Sequence, residues 1–252
     1  NSERKNMKEN ISDLKIKFNK IKQMGWIPAV SHGNGNVGIT FETILGKERE
    51  NFPIADYNGI EIKTSIKENG RPYVTLFNCA PDGKYVFETQ LLKDKYGIRD
   101  NTFKMYKNFY ARISADKLRR INDHYMKLKI NFEKEKILLV VYDLHFNKVE
   151  EECFWDFATI KEKYNKKITY LAYINAEKRF THNEVHFRYI DINFYKIKSF
   201  EHFLKLLSLG KIKVCFKVGF YKNQKKFGKT YDHGTGFEIR KEDILKLYQK
   251  YE

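Results

Sequence analysis

The sequence predicts a mixed α/β fold, a central β-sheet flanked by helices, and three stretches carry that expectation. Ile137 to Tyr142 is a continuous apolar run with β-branched residues, the pattern of a strand buried on both faces. Thr169 to Ile174 is a second such run, and Phe154 to Tyr164 between them reads as a helix, so strand, helix and strand follow one another. Asn58-Gly59 then Ile60-Glu61-Ile62-Lys63 marks a tight turn entering a half-buried strand. Both central positions of the favoured turn need positive φ, and strand side chains alternate between faces, which puts Glu61 and Lys63 on one face and Ile60 and Ile62 on the other.

The elements follow in order. Ser12 to Lys22 sets Leu14, Phe18 and Ile21 on one stripe and predicts an amphipathic helix, broken by Gly25-Trp26-Ile27-Pro28. Ser31 to Gly38, rich in glycine and asparagine, reads as a loop. Such loops let backbone amides approach phosphates, but this one lacks the Lys-Ser/Thr ending of a nucleotide-binding P-loop. Thr40 to Leu45, closed by Gly46, predicts a short helix with Glu42 facing away from Phe41 and Leu45. Tyr73 to Phe77 and Lys84 to Phe87 are strand-like, with a turn at Ala80-Pro81-Asp82-Gly83 between them.

Ser114 to Lys127 opens on a good N-cap and places Leu118, Ile121 and Tyr125 on one stripe among Lys117, Arg119, Arg120 and Lys127, which predicts a basic helix. His182 and His186 are four apart, but His-x-x-x-His binds zinc from a helix, and Val185 to Ile190 alternates like a strand. They read as surface or hairpin residues. Ser199 to Leu209 is a packed helix stopped at Gly210, and Lys211 to Val218 alternates strictly with Lys211, Lys213 and Lys217 outward. Ile244 to Tyr248 closes as a short helix.

Composition narrows the partners. The 252 residues, 42% hydrophobic, can bury a substantial core, and 48 Lys+Arg against 32 Asp+Glu give a net charge of +16, which makes a polyanion the expected partner. Cys79, Cys153 and Cys215 are odd in number and far apart, so neither a disulfide framework nor a zinc site is expected. With no apolar run of membrane-spanning length and no signal-peptide core at Asn1 to Asn6, the expectation is a soluble protein of the cell interior with no membrane partner.

The chemistry centres on Asp56, Glu61 and Lys63. Two carboxylates brought close repel each other unless a hard, oxygen-preferring cation such as Mg²⁺ lies between them, and Mg²⁺ held this way suits phosphodiester hydrolysis. Lys63 beside it could orient or deprotonate a water, or neutralise charge building on phosphorus. An Asp-x4-Glu-x-Lys pattern by itself also fits the solvated face of a hairpin. The helix carrying Glu42 precedes the hairpin and could bring a third carboxylate. Late in the chain a lysine strand can track phosphates, while Asp232, His233 and Arg240 are candidates to read bases, His and Arg towards guanine acceptors and Asp towards a cytosine amine.

These motifs in this order resemble the PD-(D/E)XK nucleases, and among them the MvaI/BcnI restriction endonucleases and the related MutH nickase. The residues concerned are the Gly-rich loop, Phe41-Glu42-Thr43-Ile44-Leu45-Gly46, Asp56-x4-Glu61-Ile62-Lys63 and the late segment Tyr231-Asp232-His233-Gly234-Thr235-Gly236-Phe237. Ile54-Ala55 departs from the proline many such enzymes place before the aspartate, at a position that packs rather than reacts. The resemblance implies a restriction-endonuclease-like core and a metal held at Asp56, Glu61 and Ile62. Lys63 would serve the water, Glu42 would be an accessory acid and His233 would act in recognition.

It implies a Mg²⁺-dependent type II enzyme acting on double-stranded DNA, as a bacterial cytoplasmic monomer that nicks each strand in turn. A cognate methyltransferase would belong to the same system without being a stable partner. The expected layout is one nuclease chain with a catalytic core over roughly 12–175 and a DNA-recognition portion over roughly 176–252. The alternatives are a MutH-like nickase, a non-catalytic basic DNA-binding module and, further off, an RNA-directed nuclease.

Overall fold

The structure, a computed structural model, describes residues 2–33, 35–46, 57–66, 73–82 and 88–251. Asp56 and the expected strand at Lys84 to Phe87 lie outside the described residues. In chain order the elements are α1 (Ser2–Gln23), β1 (Ile27–Pro28), α2 (Asn36–Ile44), β2 (Ile60–Ile66), β3 (Tyr73–Asn78), α3 (Glu88–Tyr96), β4 (Ile98–Arg99) and β5 (Lys107–Ile113). Then come β6 (Arg119–Ile121), β7 (His124–Asn131), β8 (Lys136–Tyr142), β9 (Lys148–Glu150), β10 (Phe154–Asp156), α4 (Phe157–Ile168), β11 (Tyr170–Thr181) and β12 (Glu184–Ile197). The chain ends with α5 (Phe200–Ser208), β13 (Ile212–Phe220), β14 (Thr230–Asp232), β15 (Gly236–Arg240), a 3₁₀ helix (Lys241–Leu247) and β16 (Tyr248–Lys250). The mixed α/β class is as expected.

Two compact units divide these elements. The first comprises Asn1–Pro72, Asn165–Ile197 and Tyr248–Glu252, and the second Tyr73–Tyr164 and Lys198–Leu247. The division does not follow a cut near residue 175. The long antiparallel hairpin β11–β12 joins the first unit because β11 runs parallel to β2, in register from Tyr170↔Ile60 to Ala176↔Ile66.

The first unit is one sheet, β1-β12-β11-β2 with β16 on β12, covered by helices. Ile11, Leu14, Phe18 and Ile21 of α1, with Val37 and Phe41 of α2, bury against Ile60, Ile62, Ala172, Ile174, Phe187 and Tyr189 of the strands. Each such side chain taken from water contributes about 1.5–3 kcal/mol, enough to fix both helices on the sheet. The segment read as a loop turns helical at Asn36, where Gly35, at φ 90°, lets the chain enter α2. His182 and Asn183, at φ 52° and 63°, form the β11–β12 turn, as the hairpin expectation has it.

The second unit holds two sheets, β10-β8-β7-β6 with β9 on β8, and β3-β15-β13-β5-β4 with β14 on β13. Here the expected basic helix at Ser114 to Lys127 is corrected. Most of that stretch lies in the hairpin β6–β7, Arg119–Ile121 and His124–Asn131, turning at Asn122 with φ 50°. Met126 and Leu128 are buried while Lys127 and Lys129 face outward, a period of two that outweighed the helical stripe. A second correction concerns topology. The apolar strand β8 is buried as expected, but it lies in this unit, so β8, α4 and β11 do not build one sheet.

Candidate active site

The turn that aims β2 has the backbone its sequence calls for. Asn58 and Gly59 take φ of 46° and 90°, and Tyr57 and Ile60 exchange both backbone hydrogen bonds at 2.8 Å. Helix α1 grips this turn. The Asn10 amide donates to the Asn58 carbonyl at 3.0 Å, and the Tyr57 hydroxyl donates to Asp13 while accepting from Lys17. Burial, joined by the bond to Asp13, raises the Tyr57 phenol above its ordinary value.

Beyond the turn, Glu61 and Lys63 share a face as the alternation requires. The Lys63 ammonium lies 2.7 Å from Glu61 Oε1, and the two side chains are 28% and 2% exposed. A carboxylate this deeply buried is costly unless its charge is met, and Lys63 meets it while keeping one side towards solvent. Pairing of Glu61 with Leu171 and of Lys63 with Tyr173 on β11 holds both backbones. On the opposite face Ile60 and Ile62 lock the strand into the core.

Helix α2 carries Glu42 to the same strand. A methyl group added at Gly38 would lie 3.2 Å from Thr64 Oγ1 and 4.0 Å from Glu42 Oε1, so the glycine allows α2 to sit close against β2. The buried Tyr189 hydroxyl donates to the Val37 carbonyl at 2.8 Å and pins the helix start. Burial, then the Glu42 charge, raises the Tyr189 phenol. The structure thus brings Glu61 and Lys63 together and sets α2, the helix that carries Glu42, against their strand. Among the described residues no three His, Cys, Asp or Glu side chains gather as a metal cluster, and Asp56 is not one of those residues. The Glu61 carboxylate and the Ile62 carbonyl next to it are oxygen donors of the kind a hard divalent cation takes.

Asp232, His233 and Arg240 all lie in the second unit. The Asp232 side chain works within its own turn: Oδ1 accepts from Gly234 N at 2.9 Å, Thr235 N at 2.7 Å and Thr235 Oγ1 at 3.1 Å. His233 is exposed, its backbone amide bonded to the Lys217 carbonyl at 2.8 Å and its ring 4.0 Å from that of Tyr231. Arg240 is exposed and stands 5.5 Å from the Tyr73 ring centre.

These residues belong to a larger polar face. Strand β13 buries Ile212, Val214, Phe216 and Val218 on one side and turns Lys213, Cys215 and Lys217 to the other. Register across β5, β15 and β3 adds Tyr110, Arg112, Glu238, Arg240, Tyr73 and Thr75 to that side. Glu238 is 3% exposed. Its Oε2 accepts from Arg112 Nε at 2.7 Å, and its Oε1 lies 2.7 Å from Lys217 Nζ and 3.4 Å from Thr75 Oγ1. Burial pushes this carboxyl up, but the bonds from Lys217 and Arg112 outweigh burial and hold it below the ordinary glutamate value. Arg112, Glu238 and Tyr73 were not among the candidates from sequence. The alternation in Phe109-Tyr110-Ala111-Arg112-Ile113 and in Phe237-Glu238-Ile239-Arg240 was the signal that could have found them.

The model of the MvaI/BcnI restriction endonuclease family matches residues 15–248. Among solved structures, the restriction endonuclease MvaI in complex with its cognate DNA substrate is similar at a TM-score of 0.81 and 28% identity, over 96% of this chain and 97% of that one. The same enzyme in the absence of DNA is similar at a TM-score of 0.64 and 26% identity, over 96% of each chain. No curated protein matches the sequence.

Proposed function

Because the chain belongs to the MvaI/BcnI restriction endonuclease family, we propose that it is a type II enzyme hydrolysing double-stranded DNA at a specific sequence with Mg²⁺, acting as a monomer that nicks each strand in turn. The observation that carries the catalytic part is the Glu61–Lys63 pair on β2, a buried carboxylate and a half-buried ammonium 2.7 Å apart.

Asp56, Glu61 and the Ile62 carbonyl are the proposed holders of Mg²⁺, which when bound polarises a phosphoryl oxygen and acidifies a water. Around that centre Lys63, after giving its ammonium proton to solvent, takes the proton of the attacking water, and the ammonium so restored offsets the negative charge growing on phosphorus. Glu42 is the accessory carboxylate that orients solvent on the α2 side. The Tyr57 contacts with α1 keep the turn, and with it the start of β2, in one place. The second unit supplies selection. His233 and Arg240 face solvent as readers, and Asp232 contributes by fixing the turn that presents His233. A methyltransferase protecting the same sequence completes the system without stable association.

The test is cleavage of unmethylated phage DNA with Mg²⁺ by the wild type, Asp56→Ala and Lys63→Ala, with and without EDTA. Discrete fragments from the wild type alone, lost with EDTA while DNA is still bound, are the expected result. DNA that is bound equally with and without Mg²⁺ and never cut would overturn it, and circles that are only nicked would replace it with a strand-nicking enzyme.

A further inference from the structure

The strongest feature outside the catalytic strand is the carboxylate of Glu238, buried beneath cations whose heads remain at the surface. Each of its oxygens engages a different cation, Arg112 at 2.7 Å and Lys217 at 2.7 Å, and those two side chains are 42% and 27% exposed. Arg112 sits on β5 directly opposite Cys215 of β13, and Glu238 on β15 opposite Lys213. Arg112 therefore reaches across β13 to its acid, past the small Cys215 side chain. Its guanidinium also stacks 4.5 Å over the Tyr73 ring, which Lys213 approaches to 5.4 Å, donating to the phenol oxygen at 3.1 Å. With Nε committed to Glu238 and one face to Tyr73, the Arg112 guanidinium is held in a fixed direction.

This is an unusual use of charge on a protein of net +16. If Arg112 and Lys217 served only to neutralise phosphates, a buried carboxylate between them would work against the task, because it cancels one of the two charges. A phosphate contact tolerates a mobile cation, since attraction to a phosphate depends weakly on direction. Reading a base edge does not, because a planar donor pair has to meet acceptors at set positions. Charge surrendered for direction is the signature of readout.

The geometry points to Arg112 and Lys217 as side chains that read hydrogen-bond acceptors on base edges, with Glu238 as the positioning residue that holds them in place. The inference rests on the family's action on DNA and extends the proposed recognition set of His233 and Arg240 to the centre of the sheet. Lys213 and Tyr73 complete the support, the lysine bonding to the ring's hydroxyl and the ring backing the guanidinium.

The experiment selects bound duplexes from a random-sequence pool without divalent cation, for the wild type, Glu238→Gln and Arg112→Lys, and measures binding to non-specific duplex against salt. Arg112→Lys keeps the charge and sits at a half-exposed position, so it tests the idea even if Glu238→Gln folds poorly. The expected result is that each variant loses the preference for at least one base by about 10–100-fold. The slope of log affinity against log salt stays unchanged in Arg112→Lys, and non-specific affinity in Glu238→Gln holds or rises because a negative charge is gone. An unchanged consensus in both variants overturns the inference, as does a uniform loss of affinity at every sequence. A wild type that enriches a sequence but never cuts it would remove the nuclease proposal and leave this one standing. Cutting at a site whose consensus ignores both substitutions would do the reverse.

Discussion

Lys63→Met separates chemistry from folding, because methionine keeps the apolar stem and removes the ammonium. The pair it breaks is short, 2.7 Å, and although the lysine is 28% exposed and screened by solvent, Glu61 is 2% exposed and stays behind as a buried carboxylate without this partner. That costs about 1–3 kcal/mol, which for a chain of this size is a fall in Tm of roughly 2–12 °C. Strand β2 loses nothing else, since its backbone stays paired with β11 and Ile60 and Ile62 pack on the opposite face. The chemical loss is larger. A positioned proton-transfer group contributes about 10²–10⁴ in rate, or roughly 3–5 kcal/mol of barrier. The assay is single-turnover cleavage of supercoiled unmethylated DNA with Mg²⁺, beside thermal unfolding and DNA binding without divalent cation. A rate within about tenfold of wild type, or a lost activity that tracks a collapse in Tm, refutes the reasoning. Lys63→Arg should recover little, because a guanidinium keeps its proton and presents a wider head.

Acid stability gives a second test. The folded-state pKa of Glu238 lies below its ordinary 4.5, so the carboxylate contributes stability above that value, and the contribution drains away as pH falls through the folded value. Thermal scans between about pH 5 and pH 3 should therefore show a shallower loss for Glu238→Gln than for the wild type; parallel curves would show that the acid is not coupled to folding. Gly236→Ala should lower Tm by several degrees, because its new methyl would sit 2.4 Å from the Phe77 carbonyl oxygen and 2.7 Å from Asn78 Cα, both backbone atoms that β3 cannot easily move. An unchanged melting curve would mean that β3 and β15 separate freely. Tyr57→Phe removes the hydroxyl shared by Asp13 and Lys17 and should slow cleavage severalfold with DNA affinity unaltered; equal rates would show that α1 does not position the turn.

The parts of the fold written in short-range pattern were legible in the sequence. Asn58-Gly59 announced its turn because few other dipeptides accept two positive φ angles, and the strict alternation around Glu61 and Lys63 is enough to place them on one face. Ser114 to Lys127 failed for an instructive reason. Leu118, Ile121 and Tyr125 satisfy a helical stripe, while the decisive period of two, Met126 and Leu128 against Lys127 and Lys129, starts only at the edge of that window. The placement of β8 and β11 in different units could not be read, because which strands pair is decided by contacts far apart in sequence. Glu238 was invisible for the same reason. A single acid in a strand reads as solvent-facing until two cations from other strands, Arg112 and Lys217, are seen to close over it.

The chain passes from one unit to the other at residues 72/73, 164/165, 197/198 and 247/248, so neither unit is an uninterrupted stretch. Its last strand, β16, returns to pair with β12 in the sheet that carries Glu61. A gene for such a protein cannot trade either unit as a cassette through one recombination event. A single crossover would splice half a sheet onto half of another. Changes on the face of β13 and its neighbours have to arise one side chain at a time, while β2 stays as it is, and loss of β16 would take a strand from the sheet that holds Glu61 and Lys63.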